Sequence, residues 1–225
     1  MSGPDFREGA VGFLVAEDVI LTAYFPFSKA IETTGKAKWR LKAGFSARID
    51  FLGEVDAGQS AEFGIIDVLG IDKKRQLALW RLARQSAQGA GLPSPLRLAG
   101  SPPSDLAHRR VYVVGYPYRS APFPEAGIKI DPETMDRIFC GVFGVKRLQP
   151  GEIQEVTEEN WQLEHDCLTG YGNAGSPVID VETGLVLGLH FGGRWQDKEH
   201  KRSFALTLWK LRDHPLLKEA GVKFA

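Results

Sequence analysis

At 225 residues the chain is long enough for one large or two small domains with an ample core. Its 43% hydrophobic and 25% charged residues are ordinary for a globular protein, and 28 basic residues balance 28 acidic ones, so no global field favours nucleic acid or an anionic membrane. No apolar run approaches the ~20 residues of a membrane span, and the start Met1–Asp5 lacks a basic and then apolar secretion signal, which points to a cytoplasmic protein.

Glycine (25) and proline (13) punctuate many short apolar runs, the rhythm of an all-β chain. Val11–Val15 and Val19–Thr22 flank Glu17-Asp18 and read as a hairpin. Further strands are expected at Phe45–Phe51, Phe63–Ile71 and Leu77–Leu82. A stretch rich in Gly, Pro, Ser and Ala from Gln85 to Asp105 reads as a connector. Strands resume at Arg110–Pro117, Ile138–Val145, Trp161–Glu164, Pro177–Asp180, Leu185–Phe191 and Ser203–Leu206. Between two of them, Arg119–Arg137 reads as an extended surface loop whose Phe123 and prolines, with Tyr116 and Tyr118 just before it, could contact a partner. The tail Thr207–Ala220 has helical spacing, with Pro215 set to kink or restart it. These elements predict a double six-stranded Greek-key β-barrel with a C-terminal helix: an N-terminal barrel over 1–84, a connector over 85–105, and a C-terminal barrel with the helix over 106–225.

Cys140 and Cys167 are the only cysteines and are expected to be reduced. No Cys/His spacing supplies the four ligands of a zinc site, and no cofactor is expected. Lys198–Arg202 is the densest basic cluster and reads as a solvated hairpin tip.

The segment Thr169-Gly170-Tyr171-Gly172-Asn173-Ala174-Gly175-Ser176-Pro177 carries the most information. It resembles the nucleophile loop of trypsin-like serine proteases, with Ala174 where the serine belongs. Four other segments are similar to the same family in order and spacing: Gly12–Phe25, Gln76–Leu82, Arg110–Pro117 and Leu185–Gly193. The resemblance places Phe25 at the histidine position, Gln76 at the aspartate and Ala174 at the nucleophile. Tyr24 is the alternative to Phe25 within one residue, and Asp72 is an alternative acidic position. A triad needs a hydroxyl, a base and an orienting carboxylate, and this alignment supplies none of them. The three replacements read as one relaxed site, with Gln76 removing an otherwise unpaired buried charge and Phe25 filling the imidazole's volume.

On the same resemblance the backbone N–H groups of Gly172 and Ala174 match the oxyanion-hole donors, which survive loss of a side chain unless the loop has flipped. Around Gly188–Gly193 the chain resembles bacterial glutamyl endopeptidases. That resemblance implies that Thr169 and His190, with Gly192 and Gly193 beside them, line a pocket for an acidic side chain. The plain reading of His190 is a satisfied strand histidine. A catalytically inactive protease homologue follows, binding a protein or peptide partner or serving as a scaffold in a bacterial multi-protein system, with no nucleic acid and no membrane. The alternative is an active serine endopeptidase carrying a serine-to-alanine replacement at Ala174, or one whose triad lies elsewhere. The identity of the partner and the oligomeric state are not written in the sequence.

Overall fold

The computed structural model describes residues 10–35, 38–56, 58, 60–119, 132–157, 159, 161–195 and 201–225. Strands β1 (Gly12–Ala16), β2 (Val19–Ala23), β3 (Ile31–Thr33), β4 (Trp39–Leu41), β5 (Arg48–Asp50), β6 (Glu62–Asp72) and β7 (Leu77–Leu82) form one sheet. Its order is β1-β2-β7-β6-β4-β3, with β5 paired to β6. Strands β8 (Arg110–Gly115), β9 (Arg147–Thr157), β10 (Gln162–His165), β11 (Pro177–Asp180), β12 (Val186–Trp195) and β13 (Lys201–Thr207) close into a six-stranded barrel. The molecule is therefore mostly β, a double β-barrel of the kind the strand rhythm predicts.

The first strands read as unbroken apolar runs because both of their faces are buried. In β7, Leu77 and Leu79 enter the layer between the two sheets, while Ala78, Trp80 and Leu82 fill the first barrel. The same alternation sends Val19 and Leu21 of β2 to the shared layer and Ile20 to the barrel interior. The shared layer also takes Ile179, Val186, Leu189 and Leu206 from the second barrel. Val111, Val113, Ile153, Leu163, Val178, Leu187 and Ala205 fill that barrel's interior. The connector crosses the shared layer, where Leu96 N donates to Leu14 O and Leu98 is fully buried.

The structure corrects the expected elements in four places. Strands β3 and β4, three residues each, are too short to show a period of two. Strand β9 is polar and carries Pro150 and Gly151, yet it pairs with β8 from Arg110↔Glu152 to Gly115↔Arg147. The strand expected at Ile138–Val145 is instead the end of helix α1 (Pro132–Phe139) and the turns after it. Most of the loop expected over Arg119–Arg137, Phe123 included, lies outside the described residues, but its last part is that helix. Met135 anchors α1, being buried at 3% exposure, and Arg119 pairs with Asp136. The terminal helix is short: α2 (Pro215–Glu219) opens at Pro215, as that proline foretells.

Candidate functional site

The loop containing Ala174 is fixed to both barrels by main-chain hydrogen bonds. Val11 N donates to Ala174 O at 2.8 Å, and Gly175 N donates to His190 O at 2.8 Å. Gly175 has φ +91°, and a Cβ there would collide with the Val11 carbonyl and crowd Thr22 Oγ1. Only glycine lets the loop reach β1 and β2 this closely. Asn173, between the two candidate oxyanion residues, is fully buried. Its Nδ2 donates to Gly170 O, and its Oδ1 accepts from Gln149 Nε2. A neutral side chain therefore holds the loop's shape.

Tyr118 fixes the peptide plane ahead of Gly172. Tyr118 N donates to Tyr171 O at 2.8 Å. In a trans peptide the C=O and the following N–H point oppositely, so the Gly172 N–H faces away from Tyr118. Gly172 has φ +87°, with its α-carbon packed against the Tyr118 ring and Tyr116 O. Among the described residues, neither the Gly172 nor the Ala174 amide has an acceptor.

Of the three positions expected to form a triad, Phe25 and Gln76 come side by side at the end of β2, while Ala174 is tied to Val11, which accepts from Thr22 of β2. Gln76 O accepts from Tyr24 N at 2.8 Å, which brings the turn before β7 beside Phe25. Gln76 itself sits at φ +58°, and its Nε2 donates back to Lys73 O at 2.7 Å. Its amide thus completes its own turn rather than facing Phe25. Phe25 is 65% exposed, so its ring does not fill a buried imidazole's place as the sequence suggested. Asp72, the alternative acid, points elsewhere: it pairs with Arg75 at 2.7 Å and His214 at 3.1 Å. Burial pushes its carboxyl up, but the hydrogen bonds from Arg75 and His214 outweigh that and leave it below the usual range.

The other polar groups near the loop are buried. Thr169 (4% exposed) and His190 (3%) lie at one end of the second barrel with His165 and Ser203. Thr169 Oγ1 lies 2.9 Å from Ser203 Oγ, which donates to Cys167 O at 3.2 Å. His165 Nε2 and His190 Nδ1 are 3.2 Å apart. The contact with His165 was not legible in the sequence, because β12 and β10 meet only through β13. Gly192 has open space where a side chain would be, while a Cβ on Gly193 would crowd Arg202 O. Burial raises the Tyr171 phenol and pushes Tyr116 up to about 12, so both stay protonated at neutral pH. The cluster Lys198–Arg202 falls mostly outside the described residues, as does His200. Among the described residues no group of three or more His, Cys, Asp or Glu side chains could hold a metal ion. No described helix is long and apolar enough to cross a membrane.

The sequence profile described as "Trypsin-like peptidase domain" matches residues 10–189, from the first barrel through the loop at Ala174 to the start of β12 in the second. The chain belongs to that family. No curated protein matches it in sequence. Solved trypsin-like structures share the fold at low identity. The inactive form of the Rv3671c protease is 18% identical with a TM-score of 0.51, over 95% of this chain and 84% of that one. Deg5 is 17% identical with a TM-score of 0.56, over 93% and 83%. Neuropsin, a serine protease expressed in the limbic system of mouse brain, is 14% identical with a TM-score of 0.59, over 94% and 88%. Within a trypsin-like peptidase domain, the tie between Ala174 and β1 is a bond between the two barrels at their seam.

Proposed function

We propose that this chain is a non-catalytic trypsin-like peptidase homologue that binds an extended peptide segment of a protein partner. One observation carries the reading. The aliphatic hydroxyl and thiol side chains around the nucleophile loop, on Cys167, Thr169 and Ser176, are all buried, the phenol of Tyr171 stays protonated, and half-buried Ala174 carries no nucleophilic atom. The described imidazoles are engaged away from any surface hydroxyl: His165 with His190, His214 with Asp72, His108 with Glu152. A serine-type acyl transfer needs a nucleophile within reach of its base.

Peptide binding is supported by the edge of β12. Strand β11 pairs with β12 only up to Pro177↔Leu189. From Phe191 to Trp195, β13 is its one described partner. The other edge offers backbone donors and acceptors for strand addition. A preference for an acidic side chain, as in the glutamyl-endopeptidase branch, is supported by Thr169 and His190 at the barrel end. His165 Nε2 lies 3.2 Å from His190 Nδ1, which ties the His190 ring to the barrel end.

Two experiments test the reading. A fluorophosphonate probe should leave the chain unlabelled, and Ala174→Ser alone should stay unlabelled, since a serine without a base remains protonated. Labelling of the chain as it stands, or vigorous peptidase activity after that single change, would establish the endopeptidase alternative instead. Titration with acidic and neutral peptides should show a preference for the acidic set that His190→Gln removes. An unchanged preference would end the role given to His190.

A further inference from the structure

We infer that the end of β2 and the turn before β7 form a docking surface for an acidic segment of a protein partner, with an apolar side chain seated on Phe25 and a carboxylate on Lys73. This surface is on the first barrel, whereas the β12 edge belongs to the second, and it does not depend on strand addition there.

Phe25 is presented outward by its own turn. It opens a single 3-10 turn, Phe25–Phe27, in which Phe27 N donates to Tyr24 O and Ser28 N donates to Phe25 O. Pro26 fixes φ in the middle of that turn. Phe27 turns inward, where its ring meets Trp80 of β7 at 4.6 Å between centroids. With Phe27 anchored in the barrel, Phe25 stands out at 65% exposure, and no other described large apolar side chain is more exposed. An aromatic ring on a rigid turn loses little conformational freedom when a partner covers it, and covering it removes apolar area from water.

The positive charge beside it is held in place as well. Gln76 Nε2 donates to Lys73 O at 2.7 Å, and Tyr24 N donates to Gln76 O, so the Lys73–Gln76 turn is stitched to the residue before Phe25. The Lys73 ammonium lies 5.0 Å from the Trp39 ring centroid and 5.8 Å from that of Tyr24. Two aromatic rings thus steady an exposed and otherwise flexible side chain. Lys74 follows on the same turn, Lys38 precedes Trp39, and both are exposed too. Asp72 is committed to Arg75 and His214, and Glu32 to Arg40. Among the described residues neither Lys73 nor Lys74 forms an ion pair. The chain as a whole is neutral, so this is a local positive field, and it favours an acidic segment over a basic one. A ring and a cation side by side match a segment in which apolar and acidic residues are neighbours.

The test uses three pools of N-acetylated, C-amidated hexapeptides. One mixes Asp and Glu with Leu and Phe, one mixes Asp and Glu with Ser and Gln, and one mixes Lys and Arg with Leu and Phe. Retention on the immobilised full chain is read by mass spectrometry. The acidic-apolar pool should be retained about tenfold over the other two, and its lead over the basic pool should shrink at high salt. Phe25→Ser should lower retention of that pool about tenfold and Lys73→Gln about threefold, because covering a ring contributes more than one exposed ion pair. Both positions are exposed, so both variants should unfold close to the parent denaturant midpoint. In a 15N-labelled sample, the Trp39 indole and the Phe25 and Lys73 amides should shift on adding the acidic-apolar pool. Equal retention of the basic-apolar pool would overturn the acidic assignment, and equal retention of the acidic-polar pool would overturn the role of Phe25. Retention unchanged in both variants would overturn the surface itself. Retention lost in His190→Gln but kept in Phe25→Ser would overturn it too and leave the cleft reading standing. Retention of none of the pools would overturn both.

Discussion

Two glycines illustrate how single residues hold this site. Gly175 is needed because its α-carbon lies against the Val11 carbonyl at φ +91°. Gly175→Ala should cost about 2–3 kcal/mol by combining a left-handed backbone with a steric clash. Chemical denaturation should show the lower midpoint. Gly192, with open space at its Cβ position, should tolerate alanine within about 0.5 kcal/mol. The sequence marked both glycines by resemblance alone. It could not separate them, because the collision partners Val11 and Thr22 lie more than 150 positions away along the chain.

At the scale of elements, α2 is held to the first barrel by a few contacts at the end of β6. Leu216 packs against Gly70, and His214 reaches Asp72, which also holds Arg75. The Arg75 guanidinium stacks over Trp161 with its centre 4.4 Å from the ring centroid, adding the turn before β10 to the same contact. His214→Ala should destabilise the fold by about 1 kcal/mol, with hydrogen exchange at Leu217 and Ala220 accelerating first. Asp72 and Asp180 both have carboxyl groups held below the ordinary range, the second by Arg109 and Thr183 against its own burial. A depressed carboxyl stabilises the fold fully above its unfolded value of about 4 and loses that contribution as pH falls toward the folded one. The contribution of these two carboxyls to the denaturant midpoint should therefore hold down to about pH 5 and fall away below pH 4. Asp72→Asn should make that drop shallower. The sequence marked β1, β2, β7, β8 and β11 clearly, since β2, β7 and β11 are buried almost throughout and the apolar run of β8 alternates buried with half-buried residues. It missed β3, β4 and β9, where neighbouring strands rather than side-chain pattern make the strand.

The shared layer dominates the behaviour of the whole molecule. Phe13, Leu21, Leu79, Leu98, Leu189 and Leu206 come from both barrels and the connector and pack as one cluster. Unfolding should be a single transition, with probes at Trp80 in the first barrel and Trp209 in the second reporting the same midpoint. Leu98→Ala, at a fully buried position in the layer, should cost about 2–5 kcal/mol and preserve the single transition. Two separated midpoints would mean that the layer does not couple the barrels.

Local chemistry along the chain determined the β class, the strands buried on both faces, the restart at Pro215 and the family of the loop at Ala174. Each depends on residue type and short spacing, which a linear string carries in full. Only the folded chain decided which way the side chains face. Gln76 turned into its own turn, Phe25 stood out toward solvent, Asp72 joined the C-terminal segment, and His165 met His190 across the barrel end. Those outcomes come from packing between residues far apart in sequence, where a peptide plane or a rotamer is chosen by a neighbour that no local pattern reveals.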